Sequence, residues 1–491
     1  MNRLPALGYL ATAAVALAAI VVTVRTVAFE PRDALDFESV QLAEAPGVDV
    51  AKAAQHLAEA VRFRTISHQD STSNDWAEWE RLDVWLEATY PAAHLAMSRE
   101  IFAGHTLVYT WPGTDSTLAP VVLLAHHDVV PVTPGTEDDW AHPPFAGVIA
   151  DDAVWGRGSV DDKGSLICIF EAIESLATSG FAPRRTVIVL SGHDEEAGGT
   201  GAHAVAEAWR ARGLAPQFAL DEGLAIVSDL PLAGRPVALV GIAEKGYATL
   251  RITAPATGGH SSAPPRETGV EVLAKAVLAV ASRPFPMQFS GPAADMIRTL
   301  APGAGFGTRV AVANTWLFEP LLIAKIAATP AGAALLHTTI APTMLRGSPK
   351  ANVLPQDATA WINYRIAPQD TTAKVMARAQ TATRRLKVDL AWDGPAYDPS
   401  PVSSANSDAY RVIGALASGG GQVPVVPGLV TATTDSRYLA GVARDVYRFQ
   451  PIVASLRDFE MIHGTNEHLT LDNLRRMTVF YSRLLATAAS R

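Results

Sequence analysis

VVLLAHHDVV, residues 121–130, is a short apolar run ending on His126, His127 and Asp128, and it reads as a buried strand that delivers polar groups to its C-terminal end. Three other segments repeat this design. RTVIVLSGHDEE (185–196) ends on Asp194, Glu195 and Glu196, PQFALDEG (216–223) brings Asp221 and Glu222, and the glycine-rich VWGRGSVDDKG (154–164) carries Asp161 and Asp162. Ligands of open α/β sheets bind in the crevice outside the C-terminal strand ends, so the four segments are expected to converge there. With the late His463 of RDFEMIHGTNEH (457–468), they supply enough carboxylate and imidazole for two divalent ions sharing one carboxylate.

Outward from these strand ends, apolar runs (TLVYTW, TVIVLS, QFALD) alternate with helical stretches (WAEWERLDVWLEATY, KGSLICIFEAIESLATSG, TGAHAVAEAWRARG), the pattern of an α/β fold whose mainly parallel sheet is covered by helices. The character changes at KGYATLRITAPA. A strand, the helix GVEVLAKAVLAVAS, a long irregular stretch rich in Pro and Gly, the strand ATAWINYRIA, the helix TAKVMARAQTATRRL and the strand VDLAW mark residues 246–395 as an inserted α+β domain. Residues 50–245 and 396–491 are then two parts of a discontinuous catalytic domain, closing on the helix LDNLRRMTVFYSRLLATAAS.

A chain of 491 residues, nearly half hydrophobic, has material for a large core and for more than one domain. Its net charge of -9, with no long Lys/Arg run, argues against a nucleic-acid partner, because phosphate backbones require clustered positive charge. Cys168 is the single cysteine, which excludes an internal disulfide and a thiolate zinc cluster; it is expected in the core. Between Arg3 and Arg25 runs LPALGYLATAAVALAAIVVTV, uncharged and, as a helix, about as long as a bilayer core is thick. Residues 1–29 are therefore expected to be a membrane anchor or a signal segment, followed by a tether at 30–49. The length favours an uncleaved anchor holding the catalytic part outside the cytoplasm over secretion after signal cleavage. The flanking arginines do not settle orientation.

Each chemical signal has an ordinary alternative. His126 and Asp128, two apart on a strand, share a face and can grip one ion, yet an isolated H-x-D is also a solvated strand end. Asp161, just before a helix, alone reads as a helix start. Glu195 and Glu196 are adjacent, so their side chains diverge: one can bind metal while the other faces a water, which metal-assisted hydrolysis requires. Glu195 is the candidate base. Asp221 and Glu222 pose the same choice. The weight lies in all the segments occurring together.

Taken with GGHSSAPPRET, NTWLFEPL and TTDSRY, these motifs resemble the co-catalytic zinc peptidases that include aminoacylase and glutamate carboxypeptidase, most closely the branch formed by carboxypeptidase S and the secreted N-acyl amino acid hydrolases/synthases. The resemblance runs from about residue 50 to the C-terminus. It implies an α/β catalytic domain with an inserted α+β, ferredoxin-like lid and dimerisation domain, hence a possible homodimer. It implies two Zn2+ per chain, with Co2+ or Mn2+ also suited to the donors. His126 with Asp221 or Glu222 would hold one ion, Glu196 and His463 the other, and Asp161 would bridge; Asp221 is the chosen neighbour. Asp128 becomes the carboxylate orienting His126. Glu195 keeps the base role, His260 would stabilise an oxyanion across a dimer interface, and Arg365, Arg437 and Asn352 would bind the substrate's carboxylate, with a structural ion pair as the competing reading for either arginine.

The resulting expectation is a metallohydrolase that cleaves the amide bond to a C-terminal amino acid with a free carboxylate. A peptide substrate makes it a carboxypeptidase; an N-acyl amino acid makes it an aminoacylase-like enzyme able to run in reverse. A non-catalytic metal- or peptide-binding ectodomain is the reading from another class, and the intact Glu195 speaks against it. Neither a G-x-S-x-G elbow nor a Walker phosphate loop is present to support a serine hydrolase or a nucleotide enzyme.

Overall fold

The strand Val121–Leu124 is buried at all four residues, which is why its sequence lacks polar alternation: both faces of the sheet are covered. In the computed structural model, which describes residues 4–30, 35–231 and 233–490, it lies inside an eight-stranded sheet. The strand order is Ser98–Phe102, Thr106–Trp111, Val187–Ser191, Val121–Leu124, Phe218–Val227, Asp445–Ala454, Val237–Glu244 and Val425–Val430. Val121–Leu124 pairs in parallel with both neighbours, and Asp445–Ala454 pairs in parallel with Phe218–Val227, so the parallel centre directs its strand C-termini to one edge. Antiparallel strands flank it.

The chain divides into two compact units, one comprising Asp33–Ile242, Val402–Gly428 and Thr434–Arg491. Its core joins the sheet to the helices Val50–Val61, Lys163–Thr178 and Leu471–Ala488. The first and last of these helices start where short polar side chains satisfy free backbone donors: Asp49 accepts from Lys52 N, and Thr470 from Asn473 N. Cys168 is fully buried in the helix Lys163–Thr178. The expected tether needs correction from Leu35 onward. Leu35, Phe37, Val40, Leu42 and Ala43 pack against this core, because an apolar side chain at nearly every second or third position finds a covered surface there. Residues 31–34 of that stretch lie outside the described residues.

The other unit contains Ala243–Pro401 and Leu429–Thr433. Four antiparallel strands stand in the order Thr339–Arg346, Asp357–Ile366, Gly246–Pro255, Asp389–Tyr397. In chain order this is 2-3-1-4, the ferredoxin-like arrangement. Gly246–Pro255 alternates strictly, with Ala248, Leu250, Ile252 and Ala254 buried against the helices Gly269–Ala281 and Thr372–Thr383. The irregular stretch expected after the first of these helices is instead helical at Gly291–Leu300, Phe306–Ala313, Thr315–Ile326 and Pro330–Leu336, followed by the strand Thr339–Arg346. Proline misleads here: Pro292 and Pro330 occupy first-turn positions, where the missing N–H costs nothing.

The N-terminal helix Leu4–Val27 belongs to this second unit. Arg25 Nε donates to Ala313 O over 3.1 Å, Asn314 Nδ2 to Thr26 Oγ1 over 3.1 Å, and Arg309 Nε to Thr26 O over 3.0 Å. Among the described residues no helix is long and apolar enough to cross a membrane.

The packing of Phe37 yields a prediction. Its ring lies where a Cβ on Gly414 would stand, 2.2 Å from the nearest ring carbon, and 6.3 Å from the Tyr410 ring. Phe37→Ala is expected to lower unfolding stability by about 2 kcal/mol, roughly half the cost for a fully buried ring. Chemical denaturation measures this; an unchanged midpoint would mean the segment is a free tether.

Candidate metal centre

His126 leaves the strand Val121–Leu124 with its backbone direction set by His127 N donating to Gly192 O and Thr65 Oγ1 donating to His127 O. The His126 ring is held at both nitrogens. Nδ1 lies 3.0 Å from Asp128 O and 3.3 Å from its Oδ1, while Nε2 lies 2.9 Å from Asp161 Oδ1 and 3.6 Å from Glu222 Oε1. His463 reaches the same place from near the C-terminus. Its Nε2 is 3.1 Å from Asp161 Oδ2 and 3.1 Å from Glu196 Oε1. Asp161 thus turns one oxygen to each imidazole, the placement of a shared carboxylate. His127 faces away, toward Ser191 Oγ at 2.7 Å.

Asp161 stands on a loop gripped by Glu467. That buried carboxylate accepts N–H bonds from Gly158, Val160 and Asp161 and pairs with Arg157 Nη1 at 2.6 Å. Sequence reasoning missed Glu467, although HGTNEH contains it four residues after His463. Asp162 is also buried; one of its oxygens accepts from Gln450, and with His126 and Glu222 it forms a group whose donor atoms lie within 4.8 Å of one another. His126, Asp161 and Glu196 form a second such group.

Glu195 and Glu196 open the one-turn helix Glu195–Ala197 after the strand Val187–Ser191. The Asp128 carboxylate receives both of their backbone N–H groups, Glu195 on Oδ1 and Glu196 on Oδ2, each at 3.1 Å. Asp194 caps the next helix through Thr200 N and Gly201 N. Of the acidic neighbours in LDEG, Glu222 is the one whose carboxylate stands near His126, its Oε1 3.6 Å from Nε2. Asp221 is committed to backbone donors, Glu222 N at 3.0 Å and Ser436 N at 2.9 Å. The cause is a bulge: along the paired strand Arg448 aligns with Asp221 and Phe449 with Leu224, so Glu222 and Gly223 are extra residues and Glu222 is turned out of the alternation.

The electrostatics follow from burial. Burial works against a charged His126, but hydrogen bonds to Asp128, Asp161 and Glu222 outweigh it and raise its pKa. Hydrogen bonds to Asp161 and Glu196 push His463 up to about 10. Burial raises Asp161, yet the two imidazoles reverse this and hold it low. Burial, then Asp161, raises Glu196 and Glu222; burial, then Asp435, raises Glu195. Carboxylates crowded this closely and withdrawn from water are unfavourable unless cations join them. The donors are all oxygen and imidazole nitrogen, a set that fits zinc, cobalt or manganese.

Asp435, in the turn Asp435–Leu439, is a further buried carboxyl missed in the sequence, and burial raises its pKa. Arg437 lies in the same turn, 3.4 Å from Glu195 Oε1. His260, Asn352 and Arg365 belong to the other unit. His260 pairs with Val353 across two short strands, Nδ1 2.7 Å from Ser262 Oγ; Ser261 N donates to Asn352 O; the Arg365 guanidinium lies 4.8 Å from the Tyr247 ring centroid.

A site of this kind on this fold defines a metal-dependent hydrolase, and the comparisons agree. Residues 122–487 match the model of Peptidase family M20/M25/M40, and the chain belongs to that family. It is 36% identical over 443 residues to a probable carboxypeptidase S-like protein of Dictyostelium discoideum, covering 88% of this chain and 84% of that one. It is 35% identical over 439 residues to an N-fatty-acyl-amino acid synthase/hydrolase of Xenopus tropicalis, covering 87% and 84%. The solved structure of an M20 family metallo-carboxypeptidase from Sulfolobus solfataricus shares the fold with a TM-score of 0.67 at 18% identity, over 89% of this chain and 99% of that one.

The raised imidazoles give a pH prediction. His463 has a folded pKa above its ordinary 6.5, so in metal-free protein its contribution to stability is complete below about 6.5 and is lost as pH rises toward about 10. Thermal melts in chelator are expected to fall across that window. Loading zinc near neutral pH must displace these protons, so calorimetric titrations in buffers of different ionisation enthalpy are expected to report proton release; none would place the ion elsewhere.

Proposed function

We propose that the chain hydrolyses the amide bond joining an acyl group to an amino acid with a free carboxylate, with carboxypeptidase S-like peptidase activity as the first reading. The observation that carries it is Glu195: a carboxylate beside the histidine–carboxylate cluster, its backbone N–H held by Asp128, and its proton affinity raised by burial. A binding module has no use for a base so placed. His126, Asp161, Glu196, His463 and one of the neighbours Asp221 and Glu222 would hold two divalent ions, zinc foremost, with Asp161 shared. Bound there, the ions supply Lewis-acid polarisation and a water more acidic than bulk.

Glu195 takes a proton from the attacking water as its oxygen adds to the amide carbon, and returns that proton to the nitrogen as the C–N bond breaks. Water is consumed; a carboxylic acid and an amino acid are released. Asp128 keeps the His126 ring in orientation throughout. Roles for His260 at the oxyanion and for Arg365 and Asn352 at the substrate carboxylate rest on the family resemblance, as does a homodimer through the inserted unit. A second substrate reading, an N-fatty-acyl amino acid cleaved or formed in reverse, is favoured by the relative from Xenopus tropicalis.

Blocked dipeptides and N-oleoyl amino acids, assayed side by side, separate the two substrates. Glu195→Gln, with metal content matched to wild type, is expected to lower kcat by about 10²–10⁴-fold on whichever is cleaved, the span typical of general base removal. Equal activity of variant and wild type removes the mechanism.

We also propose that the N-terminal segment 1–29, whose first three residues lie outside the described ones, attaches the chain to a membrane with its catalytic unit outside the cytoplasm. The uncharged stretch before Arg25 supports this. Alkaline carbonate extraction of cell membranes is expected to leave the full chain in the pellet; recovery of the full-length protein in the supernatant rules it out.

A further inference from the structure

Arg437 lies beside the candidate base, and its two terminal nitrogens are already engaged. Nη1 donates to Thr434 O at 2.7 Å and approaches Glu195 Oε1 at 3.4 Å; Nη2 donates to Gly198 O at 2.9 Å. The guanidinium carbon lies 4.5 Å from the centre of the Tyr438 ring, and Tyr438 Oη donates to the same Gly198 O at 2.6 Å. Both side chains therefore grip the residue that closes the Glu195 turn. Gly198 N in turn donates to Glu195 O at 3.1 Å.

The next residue shows how closely the two segments are fitted. Gly199 has φ +65, and a Cβ there would stand 2.1 Å from Asp435 Oδ1 and 3.0 Å from Arg437 Nη2. A backbone can come this close to a guanidinium only where no side chain intervenes. Capture of a substrate carboxylate by arginine works best with two parallel N–H groups presented to it. Here both terminal nitrogens are aimed at protein oxygens, and the side chain is only 10% exposed.

We propose that Arg437 is a positioning residue for Glu195: with Tyr438 it clamps the turn at Gly198 on one side while Asp128 holds its N–H groups on the other, and it does not bind the substrate's carboxylate. The inference rests on the proposed role of Glu195 as base. The two roles differ in what they do to kinetics. A lost carboxylate partner weakens binding in ground and transition states alike and raises KM; a misaimed base lowers kcat.

The test compares Arg437→Met, Arg437→Lys and Tyr438→Phe with wild type at equal metal content. For Arg437→Met, kcat is expected to fall about 10–100-fold with KM changed less than about threefold. Arg437→Lys, which keeps one charged donor, is expected to recover part of kcat, and Tyr438→Phe to lose kcat in the same direction but less. A rise in KM of about tenfold with kcat preserved would overturn the proposal. A crystal structure of Arg437→Met supplies a readout independent of turnover: the Glu195 carboxylate is expected to leave its wild-type position, and an unmoved Glu195 overturns the inference. Failure of wild type to cleave any amide would instead count against the amidohydrolase reading, with the crystallographic arm still deciding the positioning claim.

Discussion

The centre depends on one carboxylate held between two imidazoles. Asp161 offers Oδ1 to His126 and Oδ2 to His463, residues separated by more than three hundred positions in the chain. A carboxylate on a glycine-rich loop would ordinarily be free to rotate out to water. Glu467 prevents this by drawing the N–H donors of Gly158, Val160 and Asp161 toward a buried charge, itself balanced by Arg157. Removing one partner of such a buried set strands the others at a cost of several kcal/mol, so the loop and the C-terminal segment must form together. The grip also explains why His463 and Glu467 occur in one short segment: one donates an imidazole to the site while the other secures the residue that imidazole faces.

Charge compensation is the second constraint. Asp161, Asp162, Glu196 and Glu222 are packed around two imidazoles, with Glu195 and Asp435 close behind. Protonating both imidazoles leaves negative charge in excess, and burial opposes the ionised form of each remaining carboxyl. Divalent cations resolve that imbalance at once, whereas a purely structural ion-pair network would leave it in place. The donor set therefore argues for metal on electrostatic grounds independent of family membership.

The sequence carried the strand ends plainly because each is a local signal: VVLL followed by His126, and VIVLS followed closely by Glu195, need only a buried strand and its exit. What it could not carry was set at longer range. The choice between Asp221 and Glu222 depends on a bulge produced by pairing with the strand Asp445–Ala454, more than two hundred residues later. Likewise, Leu35–Ala43 looks polar enough to be a tether until the covering surface of Tyr410 and Gly414 exists. Prolines helped conceal two of the four helices in the irregular stretch, Gly291–Leu300 and Pro330–Leu336, since a first-turn proline and a loop proline read alike. Arg437 was visible as a guanidinium suited to a carboxylate, but not the carbonyls that occupy it.

Asp128 shows why the His126 ring and the Glu195 turn form one mechanical assembly. Its carboxylate receives Ser67 Oγ and the N–H groups of Glu195 and Glu196, and stands 3.3 Å from the His126 ring. The proposed metal-binding imidazole and the turn bearing the proposed base are thereby referred to one fully buried residue, the ring chiefly through its backbone O and the turn through its carboxylate. In the proposed mechanism the spacing between His126 and Glu195 sets the reaction geometry, and both are supported by this one buried residue; two independent supports would have to be aligned with each other.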